Sequence, residues 1–571
     1  LQIVIPMSGS GKRFADAGYE KIKPLIMVDG KPIISYVVDM FPGEDNFIFI
    51  CNQEHLDTLP LRSVLEKLVP GARIVPIAAH KKGPVFAVSQ CFDEIDDDDE
   101  VIVNYCDFFS DWDYSDFLRD THERQAEGCV PSYRGFHPHM LGTDNYAFIK
   151  DEDRWLEAIQ EKKPFSNDRM AEFASNGTYY FRHGRHVKKY FRELMEKDIQ
   201  VNGEFYVSMV YNLLVADKLP VSVYEVPHML QWGTPKDLEE YQKWSDYFRA
   251  VVSNPQEANC DGRESAGKND KDQQASRNAQ HPKMAKTAAH SNGLTVLIPM
   301  AGHGARFQSA GYETPKPLIP VSGKPMVVQA TESLPAGQNH IFVALKSHLE
   351  SSGIEDALRK SFPDCSIVEL DQVTEGQACT CAFGLAEGKP PVDLESPLII
   401  GACDNGMLYD QSEFQKLIDE GVDAIAFSFR NHPASKRNPK MYGWLKTNEA
   451  GVIEDVSVKV PISETPHNDH AIVGSFYFRK ASFLLDGLKR MQEKNRRVNG
   501  EFYVDTLIGE LAEMGMDCRV FEVDYYVCWG TPDDLKVFQY WQEFFNDCPW
   551  HPYKIDLDPT AKTACGVVSR G

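Results

Sequence analysis

The sequence predicts an α/β protein made of two tandem Rossmann-like domains, each a mostly parallel mixed sheet flanked by helices. Three observations carry this prediction. Apolar runs of strand length alternate with runs of helix length, the pattern of a sheet covered on both faces. A glycine-rich loop follows the first apolar run directly. The same order of residues then occurs twice. Pro6, Gly9, Arg13, Lys23 and Gly83 return 293 positions later as Pro299, Gly302, Arg306, Lys316 and Gly376. Asp107, Lys162, Gly177, Gly203 and Gly233 return 297 positions later as Asp404, Lys459, Gly474, Gly500 and Gly530. A net insertion of four therefore falls between Gly376 and Asp404, and the loop from Glu387 to Pro397 is its expected place. A repeat this long is a duplicated domain rather than a solenoid. The 571 residues also exceed one core and suit two domains of roughly 250. The expected division is a first domain over 1–248, a linker over 249–293, a second domain over 294–545 and a tail over 546–571.

In chain order, Leu1 to Ile5 reads as a buried parallel strand. The loop Pro6-Met7-Ser8-Gly9-Ser10-Gly11-Lys12-Arg13-Phe14 follows, then Lys23-Pro24-Leu25. Lys31 to Met40 reads as a helix, Phe47 to Cys51 as a strand, Leu61 to Leu68 as a helix and Ile74 to Ile77 as a third strand. Asp96 to Asp99 make a solvated turn, and Val101 to Cys106 runs as a strand into Asp107. His137-Pro138-His139 has no counterpart in the second copy and is expected to be a surface loop. Thr234 and Pro235 read as the N-cap and first turn of a helix. The linker is polar and without apolar periodicity, so it is expected to be flexible. The second copy opens with the strand Leu294 to Ile298 and carries Leu398 to Ala402 as the strand before Asp404. Beyond Tyr540 little pattern remains, and the tail is expected to be loosely packed or disordered.

Two glycines with a small neighbour let backbone N–H groups crowd onto an anion. Ser8, Gly9, Ser10 and Gly11 offer this in the first copy, and Ala301, Gly302, His303 and Gly304 in the second. The always-charged Arg13 and Arg306 and the compact Lys23 and Lys316 add the charge a triphosphate needs. A dinucleotide fingerprint wants a third glycine where Phe14 and Phe307 stand, and a Walker loop wants glycine at Pro6. A carboxylate at a strand end is either a Mg²⁺ ligand shared with phosphates or a cap on the next turn. Asp107 and Asp404 occupy that place in both copies, which favours the metal.

Charge narrows the partners. Lys plus Arg less Asp plus Glu is 60 − 84 = −24, with a pI near 5.2. Such a chain repels nucleic acid and anionic membrane, so a phosphate ligand should be small and held in a local basic pocket. No apolar run reaches membrane-span length, and no signal peptide opens the chain, although Leu1 need not be the native start. The 13 cysteines are scattered, with only Cys379 and Cys381 close together, which suits reduced thiols and a cytoplasmic location.

Further motifs complete the set: Glu161-Lys162, Gly177-Thr178-Tyr179-Tyr180-Phe181, Asn202-Gly203-Glu204-Phe205-Tyr206 and Trp232-Gly233-Thr234-Pro235. In this order they resemble the sugar-1-phosphate nucleotidylyltransferases, and more narrowly a branch associated with capsule and surface-polysaccharide synthesis. The resemblance spans 1–248 and 294–545. It implies two nucleotidyltransferase domains that convert an NTP and a sugar 1-phosphate into an NDP-sugar and pyrophosphate, with Mg²⁺ as cofactor. By the same resemblance, the glycine loops hold the nucleotide phosphates and Arg13 and Arg306 neutralise pyrophosphate. Lys23 and Lys316 bridge the α-phosphate and the acceptor, while Asp107 and Asp404 bind the metal. Lys162 and Lys459 hold the acceptor, with Glu161 beside Lys162, and Gly177 and Gly474 offer it backbone groups. Gly83 of the first copy, and Gly376 and Gln377 of the second, sit in the base-recognition turn.

Departures from the family pattern are visible as well. A second metal-binding Asp is expected two residues before the closing glycine, where Gln231 and Cys528 stand; Glu204 and Glu501 are the candidates to replace it, and they count among the substrate-binding residues. The first copy reads Lys81-Lys82-Gly83-Pro84 where the second reads Thr374-Glu375-Gly376-Gln377, and Glu161 is matched by Val458. The halves are therefore expected to differ in substrate, or one to be inactive. A non-sugar acceptor, as in a phosphocholine or phosphonate cytidylyltransferase, fits the same chemistry. A non-catalytic nucleotide-binding half is a third reading. A glycosyltransferase would want Asp-x-Asp, which neither Asp107-Phe108-Phe109 nor Asp404-Asn405-Gly406 supplies.

Overall fold

A computed structural model describes residues 1–253 and 293–561. The chain separates into two compact units, Leu1–Ser245 and Asp246–Gly571.

Among the described residues, the first unit's main sheet has ten strands. Arg73–Ile77, Phe47–Asn52, Gln2–Met7 and Val101–Asn104 lie side by side and all parallel. Each centres on an apolar run, and Val4, Ile48, Ile50, Val101 and Val103 are buried on one face with Val85 and Val88 of the helix Pro84–Ser89. Numbered in chain order, these four strands run 3-2-1-4, so the order reverses between Gln2–Met7 and Val101–Asn104. Ligands bind beyond the carboxyl ends at such a reversal. Thr178–Phe181 then pairs antiparallel with Val101–Asn104, which makes the sheet mixed.

The second unit repeats the plan. Ser366–Leu370, Asn339–Leu345, Thr295–Pro299 and Leu398–Ile400 form its parallel block, and His470–Phe478 is the antiparallel neighbour. The insertion is taken up between Gly376 and Leu398, where the helix Gln377–Glu387 has 11 residues against 6 in Pro84–Ser89.

Several expectations are corrected. The helix expected from Lys31 begins at Ile33, because Lys31–Pro32 pairs with Met27–Val28 across a turn at Asp29 and Gly30. The strand before Asp107 ends at Asn104, and that before Asp404 ends at Ile400. The helix started by Thr234 and Pro235 extends through Val252, so the first four residues of the expected linker are helical. The rest of that linker, 254–292, lies outside the described residues. The tail through residue 561 is packed rather than loose: Tyr553 is fully buried, its hydroxyl donating to Asp558 and accepting from Gln542, both at 2.8 Å. Residues 562–571 lie outside the described residues.

His137-Pro138-His139 is likewise no surface loop. His137 is 3% exposed and packs on the Tyr133 ring at 4.5 Å, while His139 meets the Tyr133 hydroxyl at 3.0 Å. Burial and then the neighbouring His228 pull the His137 pKa down to about 3, so both rings stay neutral. Arg169 folds the loop inward by donating to the carbonyls of Met140 and Gly142. Tyr133 is a near neighbour, but Arg169 and His228 come from farther along the chain, where local sequence does not reveal them.

Candidate functional site

The site of the first unit is built where the strand order reverses. From the end of Val101–Asn104, Asp107 reaches across to Lys23, whose Nζ lies 2.8 Å from Asp107 Oδ2. Lys23 starts a short 3-10 turn and also stands 5.8 Å over the ring of Phe14, at the edge of cation–π range. Burial is the largest single influence on Lys23 and lowers its pKa, but Asp107, by charge and hydrogen bond, and Cys106 together outweigh it, so the pKa is raised and the ammonium is held charged. In the second unit Lys316 bonds Asp404 and stands 5.8 Å over Phe307, with its pKa raised on the same balance. The phenylalanine that spoils a dinucleotide fingerprint is therefore the floor beneath the lysine.

The closing motif holds the aspartate from behind. His228–Gln231 pairs antiparallel with Phe108–Asp111, and the Trp232 N–H donates to the Asp107 carbonyl at 3.0 Å. Trp529 does the same to Asp404 at 2.8 Å. A Cβ on Gly233 would lie 3.0 Å from Asp107 Oδ2, and one on Gly530 3.1 Å from Asp404 Oδ2. Glycine stands there because the carboxylate passes so close.

The turn at Gly83 and the Asn-Gly-Glu-Phe-Tyr motif are physically one element. Asn202 and Gly203 have φ of 53° and 81°, the primed turn that closes a two-residue hairpin between Val201 and Glu204. This aims the Phe205 N–H at the Lys82 carbonyl, 2.9 Å, and the Phe205 carbonyl at the Val85 N–H, 3.2 Å. Gly83 lies between these bonds at φ 85°, ψ 176°, and a Cβ there would sit 2.7 Å from the Phe205 backbone. Gly376 and Phe502 repeat the arrangement. Gly83→Ala is expected to destabilise the first unit by about 1–3 kcal/mol, the cost of a glycine-only conformation, and to weaken nucleotide binding. Thermal melting and nucleotide titration check this; an unchanged melting temperature with unchanged affinity contradicts it.

Two cavities meet at the Lys23–Asp107 pair. One, of about 300 Å³, is lined by Ser8, Gly9, Gly11, Gly83 and Glu204. The other, of about 420 Å³, is lined by Ser10, Arg13, Glu161, Lys162, Gly177 and Glu204. Lys23, Asp107 and Gly11 border both. Gly11 and Gly304 adopt φ of 63° and 66°, while Arg13 and Arg306 are exposed. Ser8 is buried with its hydroxyl 3.1 Å from His80 Nε2, a pair that Ala301 and Val373 replace in the second unit. Gly302 and His303 are exposed in the second unit's loop, and Gln377 is the first residue of its helix.

Lys162 and Lys459 carry φ of 59° and 62°, the left-handed region that non-glycine residues rarely adopt. The ladder fixes them, for Lys162 N–H donates to the Tyr146 carbonyl at 2.8 Å and Lys459 N–H to that of Tyr442 at 2.9 Å. Each ammonium then reaches a tyrosine hydroxyl, Tyr206 at 2.7 Å and Tyr503 at 2.8 Å. The sequence reading did not single out these tyrosines, though their place in the repeated motif was a usable signal. Glu161 accepts from the Ser208 hydroxyl at 2.7 Å, and burial raises its pKa. Gly177 lines the cleft without a side chain; its N–H reaches Ser175 Oγ at 3.2 Å and its carbonyl accepts from the Tyr105 N–H at 3.1 Å. Gly474, at φ 95°, occupies the same place in the second unit.

For a divalent cation, the Lys23 bond uses Asp107 Oδ2 and leaves Oδ1, so one carboxylate oxygen and the phosphates suit a hard ion. Glu204 is bonded to the Tyr206 hydroxyl, Glu501 is exposed and bonded to Tyr503, and burial raises the Cys528 thiol pKa and keeps it protonated. The sequence reading also passed over Asp237 and Asp534, which accept from Thr234 and Thr531 at 2.6 and 2.7 Å; Asp237 lines the larger cavity. Among the described residues, no group of three or more His, Cys, Asp and Glu side chains is gathered to hold a metal by itself. Nor is any described helix long and apolar enough to cross a membrane.

Residues 3–169 match the family model of the MobA-like NTP transferase domain, so the first unit carries an enzyme domain of the nucleotidyltransferase type. No curated protein matches the chain. Among solved structures, a nucleoside-diphosphate-sugar pyrophosphorylase from Vibrio cholerae RC9 is 22% identical, with a TM-score of 0.36, over 41% of this chain and 97% of that one. A putative glucose-1-phosphate thymidylyltransferase from Bacillus anthracis is 17% identical, with a TM-score of 0.34, over 42% and 93%. An inositol-1-phosphate CTP transferase from T. maritima is 14% identical, with a TM-score of 0.34, over 42% and 91%.

Proposed function

We propose that the chain is a Mg²⁺-dependent nucleotidyltransferase with two sites, each moving a nucleotidyl group from an NTP to a sugar 1-phosphate and releasing pyrophosphate. The observation that carries this reading is the Lys–Asp pair where a phosphate-loop cavity meets a second polar cavity, with the same pair built again in the second unit.

The acceptor phosphate is already ionised at neutral pH, so the site needs no general base. It must bring two polyanions into line and neutralise the charge that develops. The acceptor oxygen attacks the α-phosphorus, and the bond from that phosphorus to the oxygen bridging to the β-phosphate breaks. Lys23 stands where both substrates' phosphates converge. Arg13, exposed at the mouth, meets the departing pyrophosphate. Lys162, held on the Tyr206 hydroxyl and ring, takes the acceptor phosphate, and Glu161 accepts from an acceptor hydroxyl. Asp107, with the phosphates, would hold Mg²⁺, which would supply further charge neutralisation when bound. Lys316, Arg306, Lys459 and Asp404 take the corresponding parts in the second unit.

Pyrophosphate release over a panel of NTPs and acceptors tests this, with the intact chain beside Asp107→Ala and Asp404→Ala. The panel holds hexose 1-phosphates, phosphocholine and an aminoalkylphosphonate. Each substitution is expected to remove a different substrate pair, with turnover at that site lowered at least a hundredfold. Turnover that survives both substitutions together defeats the reading.

A further inference from the structure

The acceptor side of the second unit differs from that of the first at three neighbouring places. In the first unit, Glu161 ends the strand Trp155–Glu161, and Ser208 is the second residue of the helix Val207–Ala216. The two are bonded, Ser208 Oγ donating to Glu161 Oε2 at 2.7 Å. In the second unit, Val458 ends the strand Ile453–Val458, and Asp505 is the second residue of the helix Val504–Glu513. The carboxylate has moved from the strand's last residue to the helix's second. The third place is Ala147, which lines the first unit's cleft and pairs with Glu161 across the ladder; Gly443 pairs with Val458 in its stead. A Cβ at Gly443 would stand 2.3 Å from Asp505 Oδ2, so Gly443 is what admits the Asp505 carboxylate.

We infer that Asp505 is the acceptor-recognising carboxylate of the second unit, presented from the helix where the first unit presents Glu161 from the strand, so that the two units select different acceptors. The inference rests on the reading of both units as nucleotidyl-transfer sites. Both carboxylates are half-buried beside the strand-end lysine, Lys162 or Lys459. Burial pushes the Asp505 pKa up to about 6, as it raises that of Glu161, and Lys459 acts against it. A half-buried carboxylate beside the Lys459 charge gains most from a donor the acceptor brings. A plain helix-start aspartate would need neither the missing Cβ at 443 nor the loss of Glu161 opposite.

The space beside this carboxylate has changed as well. Tyr105 and Tyr179, which line the first unit's cleft, are matched by Ala402 and Phe476. A Cβ at Gly177 would meet Phe108 at 2.9 Å and Tyr105 at 3.3 Å, whereas one at Gly474 would meet only Ala402 and Asn405, at 3.7 Å. The second acceptor is therefore a phosphate ester bulkier next to its phosphate than the first, with its hydrogen-bond donor facing the helix.

The test uses the full chain carrying Asp107→Ala, which leaves only the second site. Asp505→Asn is added in one variant and Val458→Glu with Asp505→Ser in another. Hexose 1-phosphates offer a hydroxyl donor and phosphoethanolamine an ammonium donor, and the arm that responds identifies which the carboxylate reads. Acceptor binding is followed by calorimetry with a non-hydrolysable NTP present, so a unit that binds without turning over still answers. Asp505→Asn is expected to raise the acceptor Kd and KM at least tenfold while the NTP KM stays within twofold. The double variant is expected to move acceptor preference towards that of the first unit, as measured in the Asp404→Ala chain. An unchanged acceptor affinity in Asp505→Asn, equal losses for acceptor and NTP, or no acceptor binding to the parent second unit overturns the inference. Loss of the two-site reading shows separately, as turnover that survives Asp107→Ala combined with Asp404→Ala.

Discussion

Lys23→Met is expected to lower nucleotidyl transfer at the first unit by about 10²–10³-fold, the usual loss when one charge-stabilising donor is removed from a reaction centre. The loss should fall on kcat as well as on kcat/KM, because Lys23 borders both cavities and meets charge that moves during transfer. Arginine should not rescue it. About a quarter of the Lys23 side chain and of Asp107 remains exposed, and the ammonium lies between the Phe14 ring and the carboxylate, a place fitted to a compact charge. The pH dependence follows from the sign of the shift. The folded pKa of Lys23 is raised, so its stabilising charge is fully present below the ordinary lysine value and is lost only as pH rises through the higher folded one. Rate profiles between pH 6 and 9 should therefore show no step from this lysine. Lys316→Met tests the second unit in the same way. A Lys23→Met chain that keeps its first-site kcat removes the lysine from the mechanism.

Much of this site was legible before any coordinates, and what was legible has a common physical origin. The glycine loop and Asp107 each follow closely on the end of a buried strand, and buried parallel strands announce themselves as short apolar runs. Repetition added a second reading of each. Trp232-Gly233-Thr234-Pro235 was legible as a helix start, and Thr234 Oγ1 does accept the Asp237 N–H at 3.3 Å. Its other role, the backbone clasp on Asp107, was not, because it depends on a strand pairing between segments more than a hundred residues apart. Asp505 was missed for a different reason. Comparison of the copies exposed Val458 as a lost carboxylate, yet the compensating residue sits on another element 47 positions away, and only packing joins them. The buried histidine loop failed in part likewise, because Arg169, which folds it inward, stands 29 residues beyond Met140.

Gly233→Val should lower first-site turnover by about 10²-fold while the chain stays folded, and this separates placement of Asp107 from its mere presence. The single Cβ of alanine would already stand 3.0 Å from Asp107 Oδ2 and 3.2 Å from Gln231 Nε2, and valine adds two methyl groups to that contact. Gly233 does not carry a left-handed φ, so the substitution strains space rather than backbone. The Asp107 carbonyl is fixed by Trp232 N–H at 3.0 Å, and Trp232 itself is fully buried, so the carboxylate must be the part that moves. Moving it parts it from Lys23, and a displacement of about 1 Å at a reacting centre costs on the order of 10²-fold in rate. Gly530→Val should act on Asp404 in the same way. The decisive comparison is with Asp107→Ala. Matching losses of turnover, with melting temperatures near that of the parent chain, would mean that glycine at 233 serves the position of one carboxylate. Full turnover in Gly233→Val would mean that Asp107 can move away from Lys23 without consequence, and the pair would lose its place at the centre of the site.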